Sequence, residues 1–239
     1  MSHVIALVQR KGGVGKTTLA ISIAAELHRR EKSVVLIDGD PQLSASQWAE
    51  PGNLQFPVYK MILDDQTTTV DWARDVREVA ANNGYVVVDT APSMRAVSTS
   101  IAIADIAMVP CTPSGLDFGS TVKTLEIINQ IRKLRNGYPK VMLIPNRVDS
   151  RTSEGKQLVD ELVGFGEVVS PAVGYRIGFV RAFSKGYSIR EMTNGREGHS
   201  ELRDLCDHLE LILNTEKFSD DSLSLNPPIC ASHLFPKAH

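Results

Sequence analysis

The sequence is short of the features that small secreted proteins depend on. Among its 239 residues there are three cysteines, Cys111, Cys206 and Cys230, far apart and without a C-x-x-C pair. That excludes a disulfide scaffold and a zinc ribbon and fits a reducing cytoplasm. No apolar stretch reaches the length of a membrane span, and the run from Ile101 to Cys111 is cut by Asp105. The apolar start, His3 to Val8, is too short for a signal peptide and runs into Arg10-Lys11. Neither sign of charge dominates, the formal net being −2. Total charge therefore neither demands nor excludes a polyanionic partner, and any such surface must be a local patch.

What is present is an ordinary globular mix, 42% hydrophobic and 23% charged, which excludes a disordered or fibrous chain. The length suits one or two domains and is enough to bury a full core. Charge is segregated: residues 37–105 hold four Lys/Arg against ten Asp/Glu, whereas 174–203 hold six against three. Residues 204–221 hold one against six. Short β-branched runs at 3–9, 33–37, 58–63, 85–88, 106–109, 141–144 and 168–169 read as strands. Between and after them, 16–30, 70–81, 116–134, 154–163, 179–184 and 201–213 show helical periodicity. Strands separated by helices imply parallel βαβ units in an α/β fold, with a mostly parallel twisted sheet and helices on both faces. Residues 1–214 are expected to form one domain, and 215–239, with Asn226-Pro227-Pro228, a disordered or loosely packed tail.

Between the first strand and first helix stands Lys11-Gly12-Gly13-Val14-Gly15-Lys16-Thr17-Thr18. Glycines let backbone N–H groups converge on phosphate oxygens, and the helix N-terminus adds its positive end. Lys16 is expected to reach the β- and γ-phosphates and the Thr17 hydroxyl to ligate Mg²⁺. Arg10 occupies the first glycine position of the common P-loop pattern. Two carboxylates, Asp38 and Asp40, leave the second strand at i and i+2, so both can face such a site if the chain turns there. The apolar strand Val86-Val87-Val88 ends in a third, Asp89.

The lysine-glycine string resembles the deviant Walker A motif of the ParA/MinD family of P-loop ATPases. Leu36-Ile37-Asp38-Gly39-Asp40-Pro41-Gln42 is similar to that family's switch segment, and Val86-Val87-Val88-Asp89-Thr90-Ala91-Pro92 to its Walker B. The resemblance covers about Val4 to Leu213 and implies a single-domain P-loop NTPase using ATP and Mg²⁺. It implies that Lys11 crosses a sandwich homodimer to the partner's nucleotide, that Asp40 orients the attacking water, and that Asp38 and Asp89 serve Mg²⁺. Leu143-Ile144-Pro145-Asn146-Arg147 resembles the adenine-contacting segment, with Asn146 as the hydrogen-bonding residue and Pro171 packing on the base.

Within the family, the acidic polar face of residues 201–214 speaks against a MinD-like membrane-cycling protein, and core packing is the better account of its apolar face. Ten residues precede Lys11, so no N-terminal helix-turn-helix and no operator binding are expected. Lys11 argues against most ligases and synthetases of the wider fold, which remain the second alternative. The reading is a short ParA-type partitioning ATPase, cytoplasmic and nucleoid-associated, with no membrane partner. It binds double-stranded DNA non-specifically and answers to a ParB-like or cargo adaptor protein. The cargo is a plasmid, a chromosome, or a protein assembly such as a carboxysome or chemotaxis cluster. Arg176, Arg181, Lys185 and Arg196 are the implied DNA contacts; the other reading is solvated helix arginines paired with Glu191, Glu197 and Glu201.

Overall fold

The computed structural model describes residues 2–215, with backbone only for 115–117; the expected tail lies outside the described residues. Eight strands form one sheet: β1 (His3–Leu7), β2 (Val34–Asp38), β3 (Val58–Lys60), β4 (Tyr85–Asp89), β5 (Ile106–Cys111), β6 (Lys140–Val148), β7 (Val168–Val169) and β8 (Val173–Gly174). Their order is β3-β2-β4-β1-β5-β6-β7, with β8 pairing to β6 off this path, and the recorded pairings are all parallel. The helices are α1 (Lys16–Arg29), α2 (Ser44–Ala49), α3 (Thr69–Ala81), α4 (Met94–Ile103), α5 (Gly115–Leu134), α6 (Ser153–Val163), α7 (Ile177–Lys185) and α8 (Arg196–Asn214). A 3₁₀ turn, Ile189–Glu191, joins the last two.

Strand side chains alternate between the two faces of the sheet. Val4, Ala6 and Val8 pack with Trp72, Val97, Ile128 and Leu158, from α3, α4, α5 and α6. Ile5 and Leu7 join a second cluster with Leu19, Ile23, Trp48, Leu205 and Leu209, from α1, α2 and α8. Because both faces are covered, the central strands are apolar throughout rather than alternating. Helix starts are fixed by local chemistry: Thr68, Ser93 and Thr152 accept backbone N–H bonds from Asp71, Ala96 and Gly155.

Several elements differ from the sequence expectation. Helix α4 shows no amphipathic stripe because seven of its ten residues are buried. Helix α2 is six residues long, too short to reveal a period. Strand β6 runs nine residues, so it carries Asn146 within it, and β8 rather than β7 is the last strand. Helix α8 begins at Arg196 and buries Leu202, Leu205, Cys206, Leu209 and Leu213; its apolar face is core.

The strongest charge cluster clamps α8 to α1. Glu26, 2% exposed, takes two hydrogen bonds from Arg29, at 2.8 and 2.7 Å, and one from Arg30 at 2.9 Å. Arg30 continues to Asp207 at 2.8 Å and Glu210 at 2.6 Å on α8. Burial would raise the Glu26 carboxyl, but the hydrogen bonds and charges of Arg29 and Arg30 outweigh it and hold the group at about 2. A depressed carboxyl stabilises the fold above its unfolded value of about 4.5, and the contribution is lost as pH falls through about 2. Glu26→Gln should lower stability near neutral pH by about 2–3 kcal/mol and flatten the acid limb between those two values. Urea denaturation as a function of pH measures both; an unchanged acid limb would remove Glu26 from the account.

Candidate functional site

The site is at the carboxyl end of the sheet, where β1 lies between β4 and β5. In register, Leu7 of β1 and Asp38 of β2 both stand level with Asp89 of β4. The loop leaving β1 therefore emerges beside two carboxylates on neighbouring strand ends, the usual ligand position in an open parallel sheet. A cleft of about 510 Å³ opens there, lined by Gly12, Gly13, Gly15, Lys16, Thr17, Thr18 and Asp40 on one side.

Two loop residues adopt left-handed backbone: Gly13 at φ 78° and Gly15 at φ 92°. A Cβ at Gly15 would lie 2.5 Å from Asn146 Nδ2, so glycine is required there for space as well as conformation. Asn146 Nδ2 donates to Val14 O at 2.7 Å, tying the tip of β6 to the loop. Lys16, the first residue of α1, is 6% exposed, and its Nζ donates to Gln9 O and Lys11 O, both at 3.2 Å. Burial lowers the Lys16 ammonium from its ordinary value, with Asp89 and Asp40 pulling the other way.

The two strand-end carboxylates have different surroundings. Asp38 is satisfied: Oδ2 accepts from Ser46 N–H and Oγ, both at 2.7 Å, and Oδ1 from Asp40 N–H at 3.3 Å. Asp89 is buried with Oδ2 unpartnered. Burial pushes its carboxyl up to about 7; a Thr17 hydrogen bond opposes this, and neighbouring Asp38 adds to it. An orphaned carboxylate oxygen beside a threonine hydroxyl and an open cleft fits a hard divalent cation. Among the described residues no cluster of three His, Cys, Asp or Glu side chains offers a full cage. Such a partial donor set suits Mg²⁺, which shares its shell with water and phosphate.

The structure also shows cleft residues that sequence reasoning missed. Trp48, Tyr175, Phe179, Val180 and Phe183 form an apolar wall facing the loop, and Arg147 lines the cleft next to Asn146. Trp48 is fixed by Nε1 donating to Tyr187 O at 2.9 Å and by an edge contact with Phe183 at 5.3 Å. The i, i+4 pair Phe179/Phe183 was the available signal; Arg147, at φ 55°, had none beyond its place after Asn146. Pro171 is not among the residues lining the cleft, whereas Gly174 and Tyr175 are.

The four basic residues implied as DNA contacts divide. Arg176 stands just before the first residue of α7 and is held by Glu201 at 2.7 Å and by Glu197. For this arginine the paired reading describes the geometry. Arg181, Lys185 and Arg196 are exposed and make no ion pair among the described residues. On α7 the exposed apolar residues Ile177, Val180 and Phe183 form a ridge, and the helical positions of Arg181 and Lys185 place them along its edge.

Comparison with known proteins follows the same lines. The profile of the CobQ/CobB/MinD/ParA nucleotide binding domain matches residues 5–189. The chain is 29% identical over 213 residues to maintenance of carboxysome distribution protein A of Halothiobacillus neapolitanus, covering 88% of this chain and 94% of that protein. Its fold is similar to the ATP complex of McdA from Cyanothece, with a TM-score of 0.71 at 18% identity, over 87% of this chain and 96% of that one. It is also similar to MinD from Pyrococcus horikoshii with Mg-ADP, with a TM-score of 0.72 at 15% identity, over 90% and 98%. At these identities the two structures establish the fold.

Two substitutions separate the parts of the cradle. Gly15→Ala forces a methyl against Asn146 at a left-handed φ and should weaken ATP·Mg²⁺ binding at least tenfold, a loss of about 1.4 kcal/mol or more. Asp40→Ala leaves the loop intact and should bind nucleotide normally. Calorimetric titration reads both, and equal affinities for Gly15→Ala and wild type would mean that the loop is not the phosphate cradle.

Proposed function

The chain belongs to the CobQ/CobB/MinD/ParA nucleotide-binding family, and from that premise we propose that it is a ParA-like positioning ATPase. The observation that carries the reading is the meeting of Lys16, Thr17, Asp38, Asp40 and Asp89 at the ends of β1, β2 and β4. Loop N–H groups and Lys16 hold the β- and γ-phosphates of ATP; Thr17, Asp89 and Asp38 hold Mg²⁺, directly or through water. A Mg²⁺ ion held there would supply positive charge against the phosphates. Asp40, at the rim of the cleft, orients the attacking water. Asn146 addresses the adenine, and Tyr175 lines the same cleft. No arginine finger is assigned, so unstimulated turnover should be slow, on the order of 10⁻³–10⁻⁴ s⁻¹. That rate suits a timing switch.

ATP closes a homodimer in which Lys11 reaches the partner's nucleotide, and the dimer presents two copies of the Arg181, Lys185 and Arg196 surface to duplex DNA. Helix α8, with its apolar face in the core, is not a lipid-binding helix, and no helix among the described residues is long and apolar enough to cross a membrane. The carboxysome-distribution relative supports a protein assembly as cargo, reached through an adaptor that stimulates hydrolysis.

Three basic residues per subunit neutralise about six phosphates in a dimer, giving a salt slope of log K near −5. DNA binding should require ATP, ignore base sequence, and weaken roughly a thousandfold between 50 and 200 mM salt. Lys11→Ala should bind ATP yet neither dimerise nor bind DNA. The measurement is titration of labelled duplexes of unrelated sequence with ATP, with ADP and without nucleotide, beside sedimentation. Equal DNA binding in all three states would sink the partitioning reading and leave the nucleotide site standing.

A further inference from the structure

Beneath the phosphate loop lies a polar side chain for which the reading above has no use. Gln9 is two residues beyond β1 and is fully buried. Its amide donates to Pro110 O of β5 at 3.4 Å and to Thr121 Oγ1 of α5 at 3.2 Å. Its Oε1 accepts from Ser120 Oγ at 2.8 Å and Thr124 Oγ1 at 2.9 Å, both on α5. The same oxygen accepts from Arg10 N–H at 2.9 Å.

That last bond gives the hub its meaning. The peptide unit joining Gln9 to Arg10 is planar. At one end its N–H is held by the Gln9 carboxamide; at the other its carbonyl oxygen, Gln9 O, accepts from Lys16 Nζ. Fixing one end of a rigid plane fixes the other. The carboxamide cannot turn without breaking its bonds to α5, and the buried Lys16 ammonium is shared between Gln9 O and Lys11 O. A polar hub in an otherwise apolar interior is costly unless fully satisfied, and this one has a partner for each of its polar atoms.

We propose that Gln9 is a positioning residue: by anchoring its own peptide plane to α5, it holds the Lys16 ammonium where the β- and γ-phosphates of a bound nucleotide meet it. This rests on the nucleotide reading of the cleft. It gives α5, none of whose described side chains lines the cleft, a direct mechanical tie to the phosphate-binding lysine.

The test separates position from packing. Gln9→Leu keeps the approximate shape, removes the carboxamide's bonds and sets three hydroxyls of α5 against an apolar side chain, so it should weaken ATP·Mg²⁺ binding tenfold or more and also lower Tm. The repacked variant Gln9→Leu, Ser120→Ala, Thr121→Val, Thr124→Val removes those hydroxyls and should recover Tm without recovering affinity. A double-mutant cycle gives the second readout: in the Lys16→Ala background, Gln9→Leu should change affinity less than twofold, because the group it acts through is gone. A repacked variant with wild-type Tm and wild-type affinity overturns the proposal. So does an equal loss in both backgrounds, which also decides the matter if repacking fails to restore Tm. If the wild-type chain itself does not bind ATP·Mg²⁺, the nucleotide reading fails and this proposal with it; wild-type binding with an indifferent hub fails this proposal alone.

Discussion

The molecule depends on three parallel strands ending level. Because β2 and β1 both pair with β4 and their registers place Asp38 and Leu7 opposite Asp89, two carboxylates and the start of the phosphate loop share one edge of the sheet. Parallel strands must return through crossovers, so every strand delivers a loop to that same edge. The segments carrying Lys16, Asp40, Arg147 and Tyr175 thus converge from positions far apart in sequence. A one-residue slip of β4 would turn Asp89 to the opposite face and empty the site without disturbing the core composition.

The same edge concentrates charge in a dry place. Asp38 and Asp89 are buried, with Lys16 the one buried cation beside them. Asp38 accepts two hydrogen bonds from Ser46 near the start of α2 and so helps to place that helix. Asp89 is left with an unpartnered oxygen, which gives the two neighbouring carboxylates different surroundings. Ser46 also makes α2 part of the site: two residues on, Trp48 carries the connection to Tyr187 and Phe183.

What was legible in the sequence was local. Glycines followed by Lys16-Thr17 carry their chemistry in consecutive residues, and an apolar strand ending in Asp89 reads the same way. Strand and helix alternation identified the fold class because covered parallel strands are apolar throughout. What was not legible depends on distant partners. The partners of the Gln9 side chain on β5 and α5 lie 101 to 115 residues away, so the local sequence does not mark it. Helix α4 hides its period by being buried on almost every side. For Arg176 the sequence left DNA contact and pairing with glutamates both open, and only the approach of Glu197 and Glu201 on α8 shows the pairing.

Helix α7 is the least committed element of this arrangement. Of its nine residues only Gly178 and Ala182 are buried, while its outer surface carries the ridge and the basic edge. The loop between β1 and α1, by contrast, is tied to α5 through Gln9 and to β6 through Asn146. Mutational tolerance should therefore be uneven. Substitutions at Ile177, Arg181 and Lys185, exposed and away from the cleft lining, should cost little stability. At Gly15, where an added methyl meets Asn146, the same small change has nowhere to go.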